Sequence, residues 1–310
     1  MLDDYQQVAT SYADWGLLGA EVDFVADHLA DDDLVARIGR AEVVVAMRER
    51  TPFDAATLAR LPDLRLLVTT GAANASIDVA AARSLGVTVC GTGGRPGSAA
   101  ELTWALILAV LRRVPEADAG MRAGTWQQVL PGLDLAGSTL GLVGLGRLGQ
   151  RVARVGLAFE MEVLAWSQHL DPDLATGLGV QPVSKQELLE RSDVVSVHLK
   201  LSDRSRGVLG RDDLALLKPG AVLVNTSRGP LVDETALVEA LRSGRLGGAG
   251  LDVYDEEPLP VDHPLRSLPN TVLTPHLGYV TDATYRVFYE DALEDVLAWR
   301  DGSPIRVVEP

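Results

Sequence analysis

Ser138-Thr-Leu-Gly-Leu-Val143, Gly144-Leu-Gly-Arg-Leu-Gly149 and the helically spaced run on to Phe159 decide the fold of this chain. An apolar, β-prone run, a glycine turn and a helix form the one setting in which G-x-G-x-x-G has a mechanism. Gly144 permits a tight turn, Gly146 lets a pyrophosphate approach the backbone, and Gly149 lets the helix pack closely on the strand. Free N–H groups at the start of that helix, beginning with Arg147 and Leu148, and the helix dipole then favour phosphate. The expectation is a dinucleotide site.

Working outward, strands and helices alternate from Thr139 onward, the pattern of a parallel sheet covered on both faces. The strand candidates are 139–144, 162–167, 193–199, 221–226, 248–253 and 271–275, with helices at 147–159, 185–191, 212–217 and 234–243. Ser184-Lys-Gln-Glu187 has capping-box spacing and marks a helix start. This series matches a Rossmann domain. The first hundred residues carry a smaller α/β series, with strands at 41–47, 64–69 and 87–90 and a helix at 52–60. Cys90-Gly-Thr-Gly-Gly-Arg-Pro-Gly97 reads as a hinge before an apolar helix at 98–113. A helix at 282–300 and a tail strand, Ile305-Arg-Val-Val308, return to the first domain. The expected architecture is therefore α/β, a Rossmann nucleotide-binding domain (98–283) inserted into a smaller flavodoxin-like substrate domain (1–97 plus 284–310).

Composition sets the class. At 310 residues the chain is long for one core. A net charge of −15 argues against nucleic acid and against an anionic membrane surface. The single Cys90 cannot form an internal disulfide, and the acidic start Met1-Leu-Asp-Asp-Tyr5 lacks the apolar core of a signal peptide, so the expected compartment is the cytoplasm. No metal-ligand spacing stands out.

Three polar residues follow strands at the edge where open α/β sheets bind ligands: Arg228 after 222–227, Glu257 after 251–256 and His276 after 272–275. An imidazole exchanges protons near neutral pH, a carboxylate can orient it, and a guanidinium can bind a substrate carboxylate in bidentate fashion. Each taken alone also reads as a surface loop residue; their shared edge favours the functional reading.

At this point the chain resembles the D-isomer-specific 2-hydroxyacid dehydrogenases over nearly its whole length. The resemblance is carried by Thr139–Gly149, Asp193-Val-Val-Ser-Val-His-Leu199, Leu216–Gly229, Gly250-Leu-Asp-Val-Tyr-Asp-Glu-Glu-Pro258 and Leu273-Thr-Pro-His-Leu-Gly278. It implies that an NAD or NADP cofactor serves interconversion of a 2-hydroxy acid and a 2-oxo acid. In that scheme Arg228 binds substrate, His276 is the proton donor with Glu257 as its partner, and Asp252 bonds the nicotinamide carboxamide. Thr226 belongs to the cofactor set. The loop Thr70-Gly-Ala72-Ala73-Asn74 would hold the substrate carboxylate on its N–H groups, although it also reads as an ordinary strand-to-helix turn. Arg48 would meet a second anionic group or stand as a solvated cation; Tyr279 would shape the substrate pocket or pack behind the histidine. The family's homodimer would use the 99–113 helix and the segment to Trp126, whose apolar length exceeds what one monomer face can bury. Two domains closing on hinges near 91–97 and 281–284 would exclude water.

Departures from the family pattern leave choices open. Ser167 stands where NAD-specific members carry an acid, no arginine replaces it, and Asp171 lies too far along. Lys200 stands at a position usually proline; with Ser167 and His169 it points to NADP, or it is a solvent-facing lysine. Cofactor choice is unresolved from sequence. The chain starts at Leu2-Asp-Asp-Tyr5 where the family has an apolar strand, so either the start codon is misassigned or the small domain has lost its first strand. No regulatory domain follows Pro310, against the long type of phosphoglycerate dehydrogenase. Two rivals remain: phosphite oxidation on the same scaffold and a nicotinamide-sensing binding protein. Glu257 in place of glutamine argues against formate dehydrogenase.

Overall fold

The computed structural model describes residues 1–95 and 97–310; Pro96, part of the hinge expected at 91–97, lies outside the described residues. The chain divides into two compact units, Met1–Arg95 with Val280–Pro310, and Pro96–Tyr279.

In the first unit α1 (Ala9–Tyr12) and α2 (Asp31–Ile38) precede β1 (Val43–Ala46), α3 (Ala55–Ala59), β2 (Leu66–Thr69), α4 (Val79–Ser84) and β3 (Thr88–Gly91). The C-terminal helix, Asp282–Arg300, belongs to the same unit. The strands are parallel in the order β1-β2-β3. Val44, Val45, Leu66, Leu67, Val68 and Val89 are all buried, because a parallel strand covered on both faces needs an unbroken apolar run. Asp54 and Asp78 start α3 and α4 by accepting from the N–H groups of Thr57 and Ala81.

No regular strand precedes β1, yet residues 1–4 take its place beside the sheet. Leu2 N–H donates to Val45 O, Asp4 N–H to Val25 O and Val25 N–H to Met1 O, each at 2.9 Å. Residues 1–4 thus lie between Val25 and β1, and Leu2 joins the core of Val44 and Leu67. The lateral order Val25, 1–4, β1, β2, β3 is the 2-1-3-4-5 order of a flavodoxin-like sheet. Asp3 has φ 56°, outside the extended region, so no regular ladder forms there. The tail behaves alike. Gly91 N–H donates to Arg306 O and Val308 N–H to Val89 O, yet Cys90 and Val307 make one antiparallel bridge rather than a strand, because Arg306 has φ 50°.

The second unit opens with α5 (Ser98–Leu111) and α6 (Val114–Arg122). Then come β4 (Thr139–Val143), α7 (Arg147–Ala158), β5 (Glu162–Trp166), α8 (Pro172–Gly177), β6 (Gln181–Pro182), α9 (Lys185–Arg191) and β7 (Val194–Val197). The series ends with α10 (Arg211–Leu216), β8 (Val222–Asn225), α11 (Glu234–Arg242), β9 (Gly248–Leu251) and β10 (Thr271–Leu273). All seven strands are parallel, in the order β6-β5-β4-β7-β8-β9-β10. This is the Rossmann arrangement, with its switch point between β4 and β7. The strands expected from sequence are all present, each shorter at one or both ends. Three elements are additional: the helix α6, the two-residue β6 at the sheet edge, and α8, a single short helix capped by Asp171.

Strand side chains alternate between two cores. Val143, Leu164, Val195, Val197 and Leu223 pack in one; Leu140, Leu142, Val163, Ala165, Val222 and Val224 pack in the other. Of the apolar stretch 99–126, Ala100, Thr103, Trp104, Leu106, Ile107 and Leu111 of α5 are buried within this unit, whereas Leu102, Leu108 and Val110 are only half-buried and Ala105 and Val114 are exposed. The buried face of the helix packs on β8, β9 and α7. Exposed apolar side chains occur further on, at Met121, Trp126 (71% exposed), Leu130 and Leu133. Among the described residues no helix is long and apolar enough to cross a membrane, and no group of three His, Cys, Asp or Glu is placed to hold a metal ion.

Candidate active site

The glycine turn is shaped by backbone crowding. Gly144 has φ 107°, and a Cβ there would lie 2.6 Å from His198 O, so only glycine serves. A Cβ on Gly149 would lie 2.2 Å from Gly144 O, which makes close packing of α7 on the turn depend on its absence. Gly146 differs: a Cβ there would meet nothing within 4 Å. No side chain caps α7, and the N–H groups of Arg147, Leu148 and Gly149 donate to no acceptor among the described residues. An open glycine beneath unbonded amides at a helix N-terminus fits a dinucleotide pyrophosphate. Arg147 is exposed at the first helical position, Leu148 is half-buried in the core, and Ser167 follows β5 beside the turn, where Gly144 N–H donates to Trp166 O (2.8 Å).

Further along the same edge the structure brings His276 and Glu257 together. His276 Nδ1–H donates to Glu257 Oε2 at 2.6 Å, and Tyr254 N–H fixes the other carboxylate oxygen at 3.0 Å. The two side chains are 16% and 29% exposed, so the pair is sheltered yet reachable. His276 occupies the left-handed region (φ 55°) in a turn that wraps the fully buried Asp252. Asp252 Oδ1 accepts from Thr274 Oγ1 (2.6 Å) and Leu277 N–H (2.7 Å), and Oδ2 accepts from Gly278 N–H (2.8 Å). Burial pushes this carboxyl above its ordinary range, and the three donors pull the other way. The Tyr279 ring stands edge-on to the imidazole, with centroids 5.7 Å apart. Arg228 follows β8, with its Nη1 donating to Ser227 O. The Thr226 hydroxyl is buried and paired with Thr103 Oγ1 at 2.7 Å.

In the first unit the loop after β2 has its own construction. Gly71 N–H donates to Thr92 Oγ1, whereas the N–H groups of Ala72, Ala73 and Asn74 donate to no acceptor among the described residues. Asn74 Nδ2 donates to Arg48 O (2.6 Å) and Thr69 Oγ1 (2.9 Å), and Asn74 Oδ1 accepts from Ser76 N–H. Arg48 Nη1 donates to Thr70 O at 3.0 Å, lying where a Cβ on Gly71 would be.

Residues 104–278 match the family description "D-isomer specific 2-hydroxyacid dehydrogenase, NAD binding domain". A glyoxylate reductase from Aeropyrum pernix is 41% identical over 259 residues, 81% of this chain and 77% of that protein. The chain belongs to the D-isomer-specific 2-hydroxyacid dehydrogenase family.

Other 2-hydroxyacid dehydrogenases of the family agree. A D-3-phosphoglycerate dehydrogenase from Methanocaldococcus jannaschii is 37% identical over 83% of this chain, but the match spans only 49% of that longer protein. A phosphoglycerate oxidoreductase from Vibrio cholerae superposes with a TM-score of 0.93 at 39% identity, covering 97% of this chain and 98% of that one. The α/β class, the Rossmann domain and the NAD(P)-dependent 2-hydroxyacid oxidoreductase class read from sequence are borne out.

Sequence reasoning missed the residues that hold this dehydrogenase's edge in shape. Asn225 Oδ1 accepts from Ser227 N–H while its Nδ2 donates to Arg228 O, so it clamps the Arg228 turn. Ser227 Oγ ties the same turn to Val197 O. The Tyr254 hydroxyl lies 3.0 Å from Thr274 O and 3.1 Å from Leu251 O, joining β9 to the His276 turn. A polar residue ending a buried apolar run, as Asn225 ends β8, was the available signal.

Proposed function

We propose that the protein interconverts a D-2-hydroxy acid and its 2-oxo acid. The 2.6 Å bond between His276 and Glu257 carries this reading, because it fixes the imidazole by Nδ1 and leaves Nε2 to serve the substrate oxygen. A bound nicotinamide dinucleotide supplies or accepts the hydride. Gly144, Gly146, Arg147, Leu148 and Gly149 hold its pyrophosphate, with Ser167, Thr226 and Asp252 completing the cofactor set. Arg228 binds the substrate carboxylate and carbonyl, and His276 gives or takes the proton. The N–H groups of Ala72, Ala73 and Asn74 suit the substrate carboxylate, Arg48 suits a second polar or anionic group, and Tyr279 limits the side chain beside His276. The exposed Met121, Trp126, Leu130 and Leu133 support a homodimer, and a buried free Cys90 supports a reducing, cytoplasmic location. A charge of −15 favours a small-molecule partner over nucleic acid or membrane.

The test follows oxidation of NADH or NADPH with glyoxylate, hydroxypyruvate, phenylpyruvate and 2-oxoisocaproate. One or more acids should turn over, and His276→Gln should lower kcat by roughly 10³-fold with dinucleotide binding intact. Full turnover in that variant, or binding of the dinucleotide without turnover of any acid, would sink the proposal.

A further inference from the structure

We infer that Glu234 and His263 form a second carboxylate–imidazole pair that positions Glu257, and through it His276, for proton transfer; this rests on the reading above of His276 with Glu257 as the proton relay. The segment that follows β9 meets two demands at once. It delivers Glu257 to the imidazole, and its backbone packs against the neighbour of Arg228: a Cβ on Gly229 would lie 2.0 Å from the Tyr254 carbonyl carbon and 2.5 Å from Asp255 N. A shift of the Tyr254–Asp255 peptide therefore disturbs both Glu257 and the Arg228 turn. Two bonds hold that peptide. Tyr254 N–H donates to Glu257 Oε1 at 3.0 Å, and Asp255 N–H donates to Glu234 Oε2 at 3.3 Å.

Glu234 is placed for this by the start of α11. Asp233 caps the helix, its Oδ1 accepting from Ala236 N–H at 2.9 Å, and Glu234 follows at the first helical position, where the dipole favours a carboxylate. Its other oxygen, Oε1, accepts from His263 Nε2–H at 3.0 Å, while His263 Nδ1 accepts from Leu265 N–H at 3.4 Å at the start of the short helix Pro264–Ser267. An imidazole that accepts at Nδ1 carries its proton on Nε2, so one tautomer satisfies both bonds. The Glu234 and His263 side chains are 20% and 18% exposed, about as sheltered as His276 and Glu257. Glu187, also in a first helical turn, pairs with Arg191 of its own helix; Glu234 instead reaches two other segments of the chain. A half-buried pair adds little net stability, because desolvation offsets the attraction, and its effect lies in the geometry it fixes. What it fixes here is Asp255, two residues before Glu257.

Steady-state kinetics of the full chain, on the 2-oxo acid it reduces best, test this in the parent and in a Glu257→Gln background. Glutamine keeps an oxygen acceptor for His276, which leaves a measurable rate. Glu234→Ala should lower kcat roughly tenfold, with KM and dinucleotide Kd within about twofold of the parent. In the Glu257→Gln background the same substitution should lower kcat by no more than about twofold, since a residue acting through Glu257 has nothing left to position. His263→Ala should lower kcat about threefold, and His263→Gln, which keeps an N–H donor for Glu234, should recover most of that loss. If Glu234→Ala fails to fold by circular dichroism, Glu234→Gln, left with one acceptor for two donors, goes through the same cycle. Equal losses in the two backgrounds would show that Glu234 only supports the fold, and an unchanged kcat would show that it positions nothing; either overturns the inference and leaves the relay standing. A Glu257→Gln enzyme as fast as the parent would overturn the relay and this inference with it.

Discussion

The turn at 144–149 and the loop at 70–74 each follow a strand inside a parallel sheet, and each presents N–H groups without an acceptor among the described residues, yet they are shaped by different means. Backbone presses on backbone at the first: His198 O against Gly144, and Gly144 O against Gly149. Side chains brace the second, with Arg48 bonded to Thr70 O and Asn74 bonded to Arg48 O. Backbone crowding leaves no adjustable part, which suits a group that is the same in every turnover, such as a pyrophosphate. A loop braced by a long guanidinium can be retuned by one substitution, which suits the variable end of a substrate.

The largest effect should come from Gly149→Ala. Its Cβ has backbone 2.2 Å away that cannot swing aside, so urea unfolding should show a loss of about 3 kcal/mol. An unchanged midpoint would mean that the turn is softer than the comparison requires. Gly146→Ala should split stability from binding: its Cβ meets nothing in the protein, so Tm should hold while dinucleotide affinity falls about 100-fold, or about 2.7 kcal/mol.

The wall of the same turn should answer to pH. Burial holds the His198 imidazole down to about 4, against 6.5 for the free side chain. Between those values the unfolded chain binds a proton that the folded one refuses, so stability falls as pH drops through this window. By pH 5 the loss should reach about 2 kcal/mol, and His198→Gln should remove that share of the slope. Parallel pH dependence in the two proteins would show that the imidazole is not sequestered.

Gly71→Ala should have the smallest effect. Its φ of 90° makes alanine strained, by about 1 kcal/mol, and the new Cβ meets only the far end of Arg48, which can move. The KM for a 2-oxo acid should rise several-fold, with dinucleotide affinity unchanged. A loss of stability as large as that of Gly149→Ala would erase the distinction between the two loops.

Much of the second unit was legible in the chain because its signals are local. The run 138–149 names strand, turn and helix within twelve residues, and polar residues after strands mark Arg228, Glu257 and His276. The rest was not legible because its causes are distant or weak. β6 contributes two residues, too few for a periodicity, and Asp171 reveals its capping role only when α8 is in place. Residues 1–4 take the place of the missing first strand through separate backbone bonds, because the left-handed Asp3 interrupts their extended run. In the apolar stretch 99–126 the sheet covers one face of α5, and exposed apolar side chains concentrate at Val114, Met121 and Trp126 and run on to Leu133, a division that only the packing reveals.

By itself the sequence determined the parallel α/β class, the place of the glycine turn and the chemical types available at the sheet edge. Hydrophobic period, turn glycines and strand-end polar residues act over a few residues, and such effects survive in a string. Tertiary structure alone decided that His276 meets Glu257 at 2.6 Å, that Asp252 accepts from the Thr274 hydroxyl and from two N–H groups of the His276 turn, and that Arg48 braces the loop at Gly71. Each of these joins residues about twenty or more positions apart, or sets a turn against a strand, and such contacts exist only once the strands are in register and the core has closed behind them.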